Sequence, residues 1–335
     1  MPIFILSARG ISKGEFVPEP GRPHYLEIPD GQMISADEKY RHKAQDWLDR
    51  VQSVADGRAG RRSGEAGDVL LLVHGYNATL DEIRQRHEML QADLSAEGWR
   101  GLVVSFDWPA GRSPLNNLED RSDSAEVAQY LVSGGIGLLI KGQTRGCQTN
   151  IHMLGHSTGA FVIMDAFIAA EKRGEYYRND WRIGQVAFVA GDVSARSLHA
   201  DSQWAEPMFR RIMRLTNYQN GFDDVLGASN AKRLGTAPRA GRVGLGEDAH
   251  SKAVNVDCSE YFRELDPESQ ASKVGWWNHS WQFGNRVFAR DLAMTLEGRI
   301  DRNYLPTREK RDGNLVLRDA PRPVHEAKWL AMNRN

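Results

Sequence analysis

Asn150-Ile151-His152-Met153-Leu154-Gly155-His156-Ser157-Thr158-Gly159 decides the fold, together with the run Phe161-Val162-Ile163-Met164-Asp165-Ala166-Phe167-Ile168-Ala169-Ala170 that follows it. Residues 150–154 have the composition of a short strand. Residues 161–170 are apolar on nearly all sides, as a buried helix is. Between them Gly155-x-Ser157-x-Gly159 reads G-x-S-x-G. A sharp strand-to-helix turn of this kind holds a serine Oγ exposed at the top of a sheet, where it can act as a nucleophile. The flanking glycines let the backbone make the turn and leave room beside it. Three fixed residues recur by chance, so the weight of the pattern comes from the strand before it, the helix after it and partners elsewhere in the chain.

Outward from this turn, strand and helix signals alternate. Asp68 to His74 is a near-continuous apolar strand, as expected of a parallel strand buried on both faces. Thr79 to Ala96 reads as a helix stopped by Gly98, and Gly101 to Phe106 as the next strand. Ser122 to Ile140 reads as a helix weakened by Gly134, Gly135 and Gly137. Strands follow at Gly184 to Ala190, Arg211 to Tyr218 and Ala253 to Asp257, and Trp281 to Leu296 reads as a closing helix. Toward the N-terminus, Ile3 to Ala8 reads as a strand. The Pro/Gly-rich stretch Val17 to Gly31 holds a short strand at Tyr25 to Ile28. Ser35 is placed to cap a helix starting near Ala36, with Glu38 at capping-box spacing; Tyr40, Ala44, Trp47, Val51 and Val54 share one face of it.

This alternation predicts an α/β fold: a mostly parallel, doubly wound sheet with helices on both faces. The expected organisation is a single domain. Residues 1–67 pack on a catalytic core at 68–297 that carries a long loop at 228–252, and residues 298–335 form a polar extension that is a candidate for wrapping the surface or for homo-oligomerisation.

Of the 335 residues, 43 are Lys or Arg and 44 Asp or Glu, a net charge of -1 that offers no field for nucleic acid. Arg58, Arg61 and Arg62 in the Gly-rich piece 57–67 read as a solvated surface. Cys147 and Cys258 are far apart, outside metal-ligand spacing, and read as two reduced thiols. The apolar start Met1 to Leu6 lacks the pattern of a signal peptide and reads as a strand. Leu131 to Ile140 is too short to span a membrane. The expectation is a cytoplasmic protein without stable membrane insertion.

A serine nucleophile needs a base within hydrogen-bond reach and an acid to orient that base. On a sheet of this kind the acid and then the histidine follow the serine in the chain. Asp223 and Asp224 follow one candidate strand and Asp192 another. Asp223 is preferred because the acid usually lies one strand beyond the first such position; Asp224 and Asp192 stay open as alternatives. Among His250, His279 and His325, the preferred base is His279, in Gly275-Trp276-Trp277-Asn278-His279-Ser280-Trp281, ahead of the closing helix. His156 neighbours the serine but points elsewhere on a tight turn and reads as a packing residue. For the oxyanion hole, one backbone N–H comes from Thr158, after the serine. The other is expected from Tyr76 in His74-Gly75-Tyr76-Asn77, where Gly75 lets the backbone approach closely.

These residues together resemble the α/β-hydrolase superfamily, and especially a bacterial group of serine-hydrolase-like proteins whose activities are largely unassigned. The resemblance rests on His74 to Asn77, Phe106-Asp107-Trp108-Pro109, Leu154 to Gly159, Tyr218 through Asp223 to Leu226, and Asn278-His279-Ser280. It covers roughly residues 68–296. It implies Ser157 as nucleophile, an aspartate after the next-to-last strand, and the late histidine as base. Two adjacent aspartates stand where one is usual.

The expected chemistry is hydrolysis of a small-molecule or lipid-like carboxylic ester through an acyl-enzyme, with no metal and no organic cofactor required. Lipase, phospholipase or acyltransferase chemistry on the same triad is an alternative, and so is a non-catalytic binding or sensor module on this fold. Trp276, Trp277 and Trp281 are candidates to line a substrate pocket, against the commoner role of aromatic residues at a helix start as core.

Overall fold

A computed structural model describes residues 1–59, 67–110, 126–137, 149–174, 181–232, 237–267 and 274–323. The strands are β1 (Ile3–Ser12), β2 (Glu15–Ile28), β3 (Arg41–His42), β4 (Val69–Val73), β5 (Leu102–Asp107), β6 (Ile151–His156), β7 (Ile183–Val189), β8 (Ile212–Gln219), β9 (Ala253–Asp257), β10 (Arg308–Arg311) and β11 (Asn314–Leu317). Among the described residues they form one 11-stranded sheet in the order β10-β11-β9-β8-β7-β6-β4-β5-β1-β2-β3. From β1 to β11 across the middle, every neighbouring pair is parallel; the antiparallel pairs lie at the two edges. β4 is buried at every residue, which is why its sequence, Val-Leu-Leu-Leu-Val, does not alternate. Helices α1 (Ala44–Ala59), α2 (Leu80–Ala96), α3 (Gly159–Lys172), α4 (Asp224–Lys232), α5 (Trp277–Ser280) and α6 (Arg286–Glu297) join and cover the strands. The chain is thus an α/β protein with the doubly wound sheet its sequence predicts.

The strand order reverses at β4. The chain moves from β4 outward to β5, then returns to the other side of β4 as β6. Such a switch opens a crevice at the carboxyl ends of the strands. Val73 pairs with Gly155, so the segments leaving β4 and β6 run side by side into that crevice.

Several elements differ from their sequence reading. The first helix begins at Ala44, not near Ala36. Arg41 and His42 pair with Leu26 and Tyr25, and Asp37 caps only a short 3-10 turn at Glu38–Tyr40. Trp47 and Val51 do face the core, and the Trp47 indole donates to the Leu26 carbonyl at 2.9 Å. The Pro/Gly-rich stretch is mostly strand; Pro18, Pro20 and Pro23 are accommodated because β2 lies next to the edge and its register with β1 is broken twice. Arg58 is not simply solvated: its Nε donates to the Gly101 carbonyl at 2.8 Å. Arg61, Arg62 and Cys147 lie outside the described residues. The segment expected as a loop from 228 contains the end of α4 and a short helix at Ala240–Val243. The closing helix starts five residues later than its apolar run, because Gly284 turns at φ 82 and Asn285 caps the Phe288 N–H at 2.9 Å. The C-terminal extension supplies β10 and β11. Arg308 of β10 is tied to Asp291 of α6 by a buried pair at 2.6 Å, with Tyr218 and Thr295 beside it. No helix among the described residues is long and apolar enough to cross a membrane.

Candidate active site

Three non-glycine residues with positive φ stand just beyond the carboxyl ends of neighbouring strands: Asn77 (54°) after β4, Ser157 (55°) after β6 and Ala190 (47°) after β7. Each such conformation costs about 1–3 kcal/mol and persists only where its surroundings hold it. At Ser157 the holding contacts are explicit. Its N–H donates to Val189 O at 3.0 Å, and its carbonyl accepts from Ala160 N at 3.1 Å and Asp192 N at 3.0 Å. The glycines of the motif have steric reasons. A Cβ on Gly155 would lie 2.7 Å from Ala160 N, and one on Gly159 would lie 2.2 Å from Val73 O. A Cβ on Gly75 would sit 2.6 Å from the Ser157 Cβ, so the segment after β4 passes directly against the serine.

That segment is fixed from behind. The Trp108 N–H donates to His74 Nε2 at 3.1 Å, and the Trp108 indole donates to the His74 carbonyl at 2.9 Å. His74 Nδ1 in turn donates to Gly75 O at 2.7 Å. Both ring nitrogens are then committed in the neutral form. Burial pulls the His74 pKa down, so the nearby Asp107 carboxylate at 3.5 Å is not its ionic partner. Asp107 instead accepts from Arg9 Nε at 2.8 Å and from Ser7 Oγ at 2.6 Å. Arg9 Nη2 reaches on to the Trp108 carbonyl at 3.2 Å. Tyr76 follows in the turn, half-buried, and Thr158 stands at the N-terminus of α3, also half-buried.

On the other side, His279 Nδ1 meets Asp223 Oδ2 at 2.7 Å, both groups being buried. The second Asp223 oxygen accepts the Leu226 N–H at 2.9 Å. The loops bearing Asp223 and His279 are tied together by Asn220 Nδ2 to Asn278 O at 3.1 Å and by Asn278 Nδ2 to Asp224 Oδ2 at 2.7 Å. The alternatives for the acid are therefore engaged elsewhere. Asp224 holds Asn278, and Asp192 accepts from Ser229 Oγ at 2.8 Å and faces Arg239 at 3.5 Å. His156, next to the serine, packs its ring 4.9 Å from the His279 ring, and its Nε2–H donates to the His279 carbonyl at 2.9 Å. Burial first, then the charges of His279 and Arg86, hold the His156 pKa well below its ordinary value. This neutral ring links the serine turn to the segment that carries His279.

Of the three tryptophans read as pocket candidates, Trp281 is a core residue. It is 0% exposed and packs against Tyr261, Phe262 and Phe288. Trp276 stands 75% exposed, and Trp277 packs on Phe262, which also stacks on the exposed Phe222. Sequence reasoning missed Arg9, Ser7 and the Arg308–Asp291 pair. Their only signal is an isolated charged or hydroxyl residue, which does not name its partner, 98 or 100 residues away for Arg9 and Ser7 and 17 away for Arg308.

Similar solved structures include the metagenomic carboxyl esterase MGS0156, 14% identical over 69% of this chain and 76% of that one with a TM-score of 0.36. The esterase LipW of Mycobacterium marinum is 13% identical over 82% of this chain and 78% of that one, with a TM-score of 0.34. The phospholipase PlaB of Legionella pneumophila is 13% identical over 76% of this chain and 68% of that one, with a TM-score of 0.35. At these TM-scores the likenesses fix nothing about activity. No curated protein matches. The family model described as "alpha/beta hydrolase of unknown function (DUF900)" matches residues 59–260, more than half of the chain, and the chain belongs to that family of α/β-hydrolases.

Proposed function

We propose that this α/β-hydrolase is a serine hydrolase of carboxylic esters, with Ser157 as nucleophile, His279 as general base and Asp223 as the acid that orients it. The observation that carries this reading is the 2.7 Å bond from His279 Nδ1 to the buried Asp223, on a histidine packed against the residue that precedes a serine at φ 55. With Nδ1–H committed to Asp223, the Nε2 lone pair of His279 is free to take the Ser157 proton. Ser157 attacks the ester carbonyl, and the N–H groups of Tyr76 and Thr158 stabilise the oxyanion. His279 then protonates the leaving alcohol and later activates the water that releases the acid. An acyl or aryl group would lie against the exposed rings of Trp276 and Phe222, near Trp277.

The test is turnover of 4-nitrophenyl esters of graded acyl length by the wild type and Ser157→Ala, with fluorophosphonate labelling of both. Labelled wild type, unlabelled variant and turnover lost only in the variant are expected. A folded wild type that takes no label would favour a non-catalytic module instead.

A further inference from the structure

A hydrogen bond from one ring nitrogen orients the imidazole of His279; it does not by itself set how far the residue stands from Ser157. The backbone of His279 lies in α5, a helix of four residues. The last carbonyls of a helix have no partner within it. In a continuing helix the Phe283 N–H would return to the His279 carbonyl; here it goes to Ser280 O at 3.2 Å. The His279 carbonyl accepts instead from a side chain, the Nε2–H of His156, at 2.9 Å. His156 is buried, and its Nδ1 has no partner among the described residues. The single proton of the neutral ring therefore sits on Nε2, where this bond needs it. Phe283 meets the same ring edge-on at 5.3 Å, and the His279 ring lies at 4.9 Å.

The other end of His156 belongs to the serine. It is the last residue of β6, it pairs with Val189 of β7, and Ser157 follows it directly. Its carbonyl lies 3.1 Å from where a Cβ on Gly75 would stand, so the backbone has little room to shift toward the segment after β4. One residue is thus held by its backbone in the strand that presents Ser157 and by its side chain on the backbone of His279. The tie between the two passes through a single buried ring.

We infer that His156 is a positioning residue: its Nε2–H, on the His279 carbonyl, sets the separation of base and nucleophile, while Asp223 sets the orientation of the base. This rests on the reading of Ser157 as nucleophile and His279 as base. A misplacement of about 1 Å in such a pair costs about 10²-fold in rate.

Three substitutions separate the donated bond from the volume of the ring. His156→Phe keeps a ring and removes the donor. His156→Asn keeps an amide whose nitrogen stops at the level of Nδ1, and His156→Gln carries an amide nitrogen out to the level of Nε2. With 4-nitrophenyl butyrate, His156→Phe and His156→Asn are expected to lose about 10² in kcat/KM, through kcat and with KM within about threefold. His156→Gln is expected to stay within about tenfold of wild type. A ring that only fills space gives the opposite order, because Phe packs there and an open-chain amide does not. That order overturns the inference, and so does a His156→Phe protein within about threefold of wild type. The second arm is nitrogen NMR of isotope-labelled histidine rings. In wild type, His156 is expected to carry its proton on Nε2; a proton on Nδ1, or on both nitrogens, overturns the inference even if no variant folds. In His156→Phe, where a ring still lies beside His279, the His279 ring signals are expected to move or broaden, and unchanged signals overturn it. If wild type neither turns over esters nor takes a fluorophosphonate label, the Ser157 reading fails, and the NMR outcomes alone decide for or against His156.

Discussion

Replacing Asp223 with Asn removes a charge and leaves the shape. The Asp223 carboxylate serves two donors: Oδ2 accepts from His279 Nδ1 at 2.7 Å and Oδ1 from the Leu226 N–H at 2.9 Å. An asparagine has one accepting oxygen for these two positions. If that oxygen keeps Leu226, the NH2 faces His279 Nδ1. The imidazole must then accept at Nδ1 and carry its proton on Nε2, where the base needs a lone pair. If the amide flips, the NH2 meets the Leu226 N–H inside the protein, and an unmade buried hydrogen bond costs about 1–3 kcal/mol. Wrong-tautomer variants of such triads lose about 10⁴ in kcat; allowing for a fraction that flips, the expected loss is about 10³–10⁴, or about 4–5.5 kcal/mol of transition-state stabilisation. Asp224→Asn is the control. Its carboxylate is exposed and accepts one bond from Asn278, so a loss of less than about fivefold is expected. The assay is kcat and KM for 4-nitrophenyl butyrate, with circular dichroism and melting curves to establish folding. An Asp223→Asn protein that is folded and within tenfold of wild type would refute the reasoning, as would an Asp224→Asn protein that loses more than Asp223→Asn.

Gly75→Ala puts a methyl group 2.6 Å from the Ser157 Cβ. Moving the serine aside by about 1 Å is expected to cost about 10² in kcat/KM, with a melting temperature near that of wild type; unchanged kinetics would mean that this segment does not abut the serine. Arg308→Met leaves Asp291 charged and buried, a loss of about 3–5 kcal/mol. At about 2.1 cal/mol/K per residue over the 335-residue chain, this lowers the melting temperature by about 4–7 °C in calorimetry; a shift under 1 °C would contradict the pairing. His87 is buried, bonded to Ser105 Oγ at 2.8 Å, and its pKa is pushed down by burial to about 3. The unfolded chain binds its proton below about pH 6.5 while the folded chain does not. Stability is therefore complete above about pH 6.5 and falls toward about pH 3, by up to about 1.4 kcal/mol per pH unit. In urea unfolding at pH 7.5 and 5.0, His87→Asn should show a smaller drop than wild type, and an equal drop would refute the assignment.

The central strands and the serine turn were legible because one physical signal sets each of them. A parallel strand buried on both faces must be apolar throughout, as Val69 to Val73 is. A serine at positive φ between two crowded turns admits only glycine on either side. The choice of Asp223 over Asp224 was not legible. Adjacent carboxylates differ only in which side of a helix start they point to, and that is set by Asn220 and Asn278, 58 residues apart. The first helix was misplaced because Ser35 and Glu38 carry a capping signal that the pairing of Arg41 and His42 with β2 overrides. The closing helix was read too long at its start because Trp281 and Phe283 are apolar for packing, while Gly284 and Asn285 decide where the helix begins. Trp281 shows the same ambiguity within a single residue: near His279, an indole in the core and one in a pocket have the same sequence.

The least legible features are the long-range charged contacts, which brace the candidate site from β1 on one side and β10 on the other. Arg9 on β1 and Arg308 on β10 come from the segments with no recognised motif, and each bonds a fully buried aspartate. Arg9 holds Asp107 and the Trp108 carbonyl, and Trp108 fixes His74, from which Gly75 and Tyr76 emerge against the serine. Arg308 and Asp291 hold the hydroxyl of Tyr218, in the strand that ends one residue before Asn220 and the loop carrying Asp223. Buried ion pairs add little net stability over well-packed apolar groups, yet losing one partner is severe. Their worth here lies in geometry: a single orientation for the segment that carries His74 to Tyr76 and for the strand that leads to Asp223. A shortened chain lacking β10 and β11 would leave Asp291 charged and unpaired inside the protein, so the C-terminal hairpin is required by the same physics that holds the strand leading to Asp223.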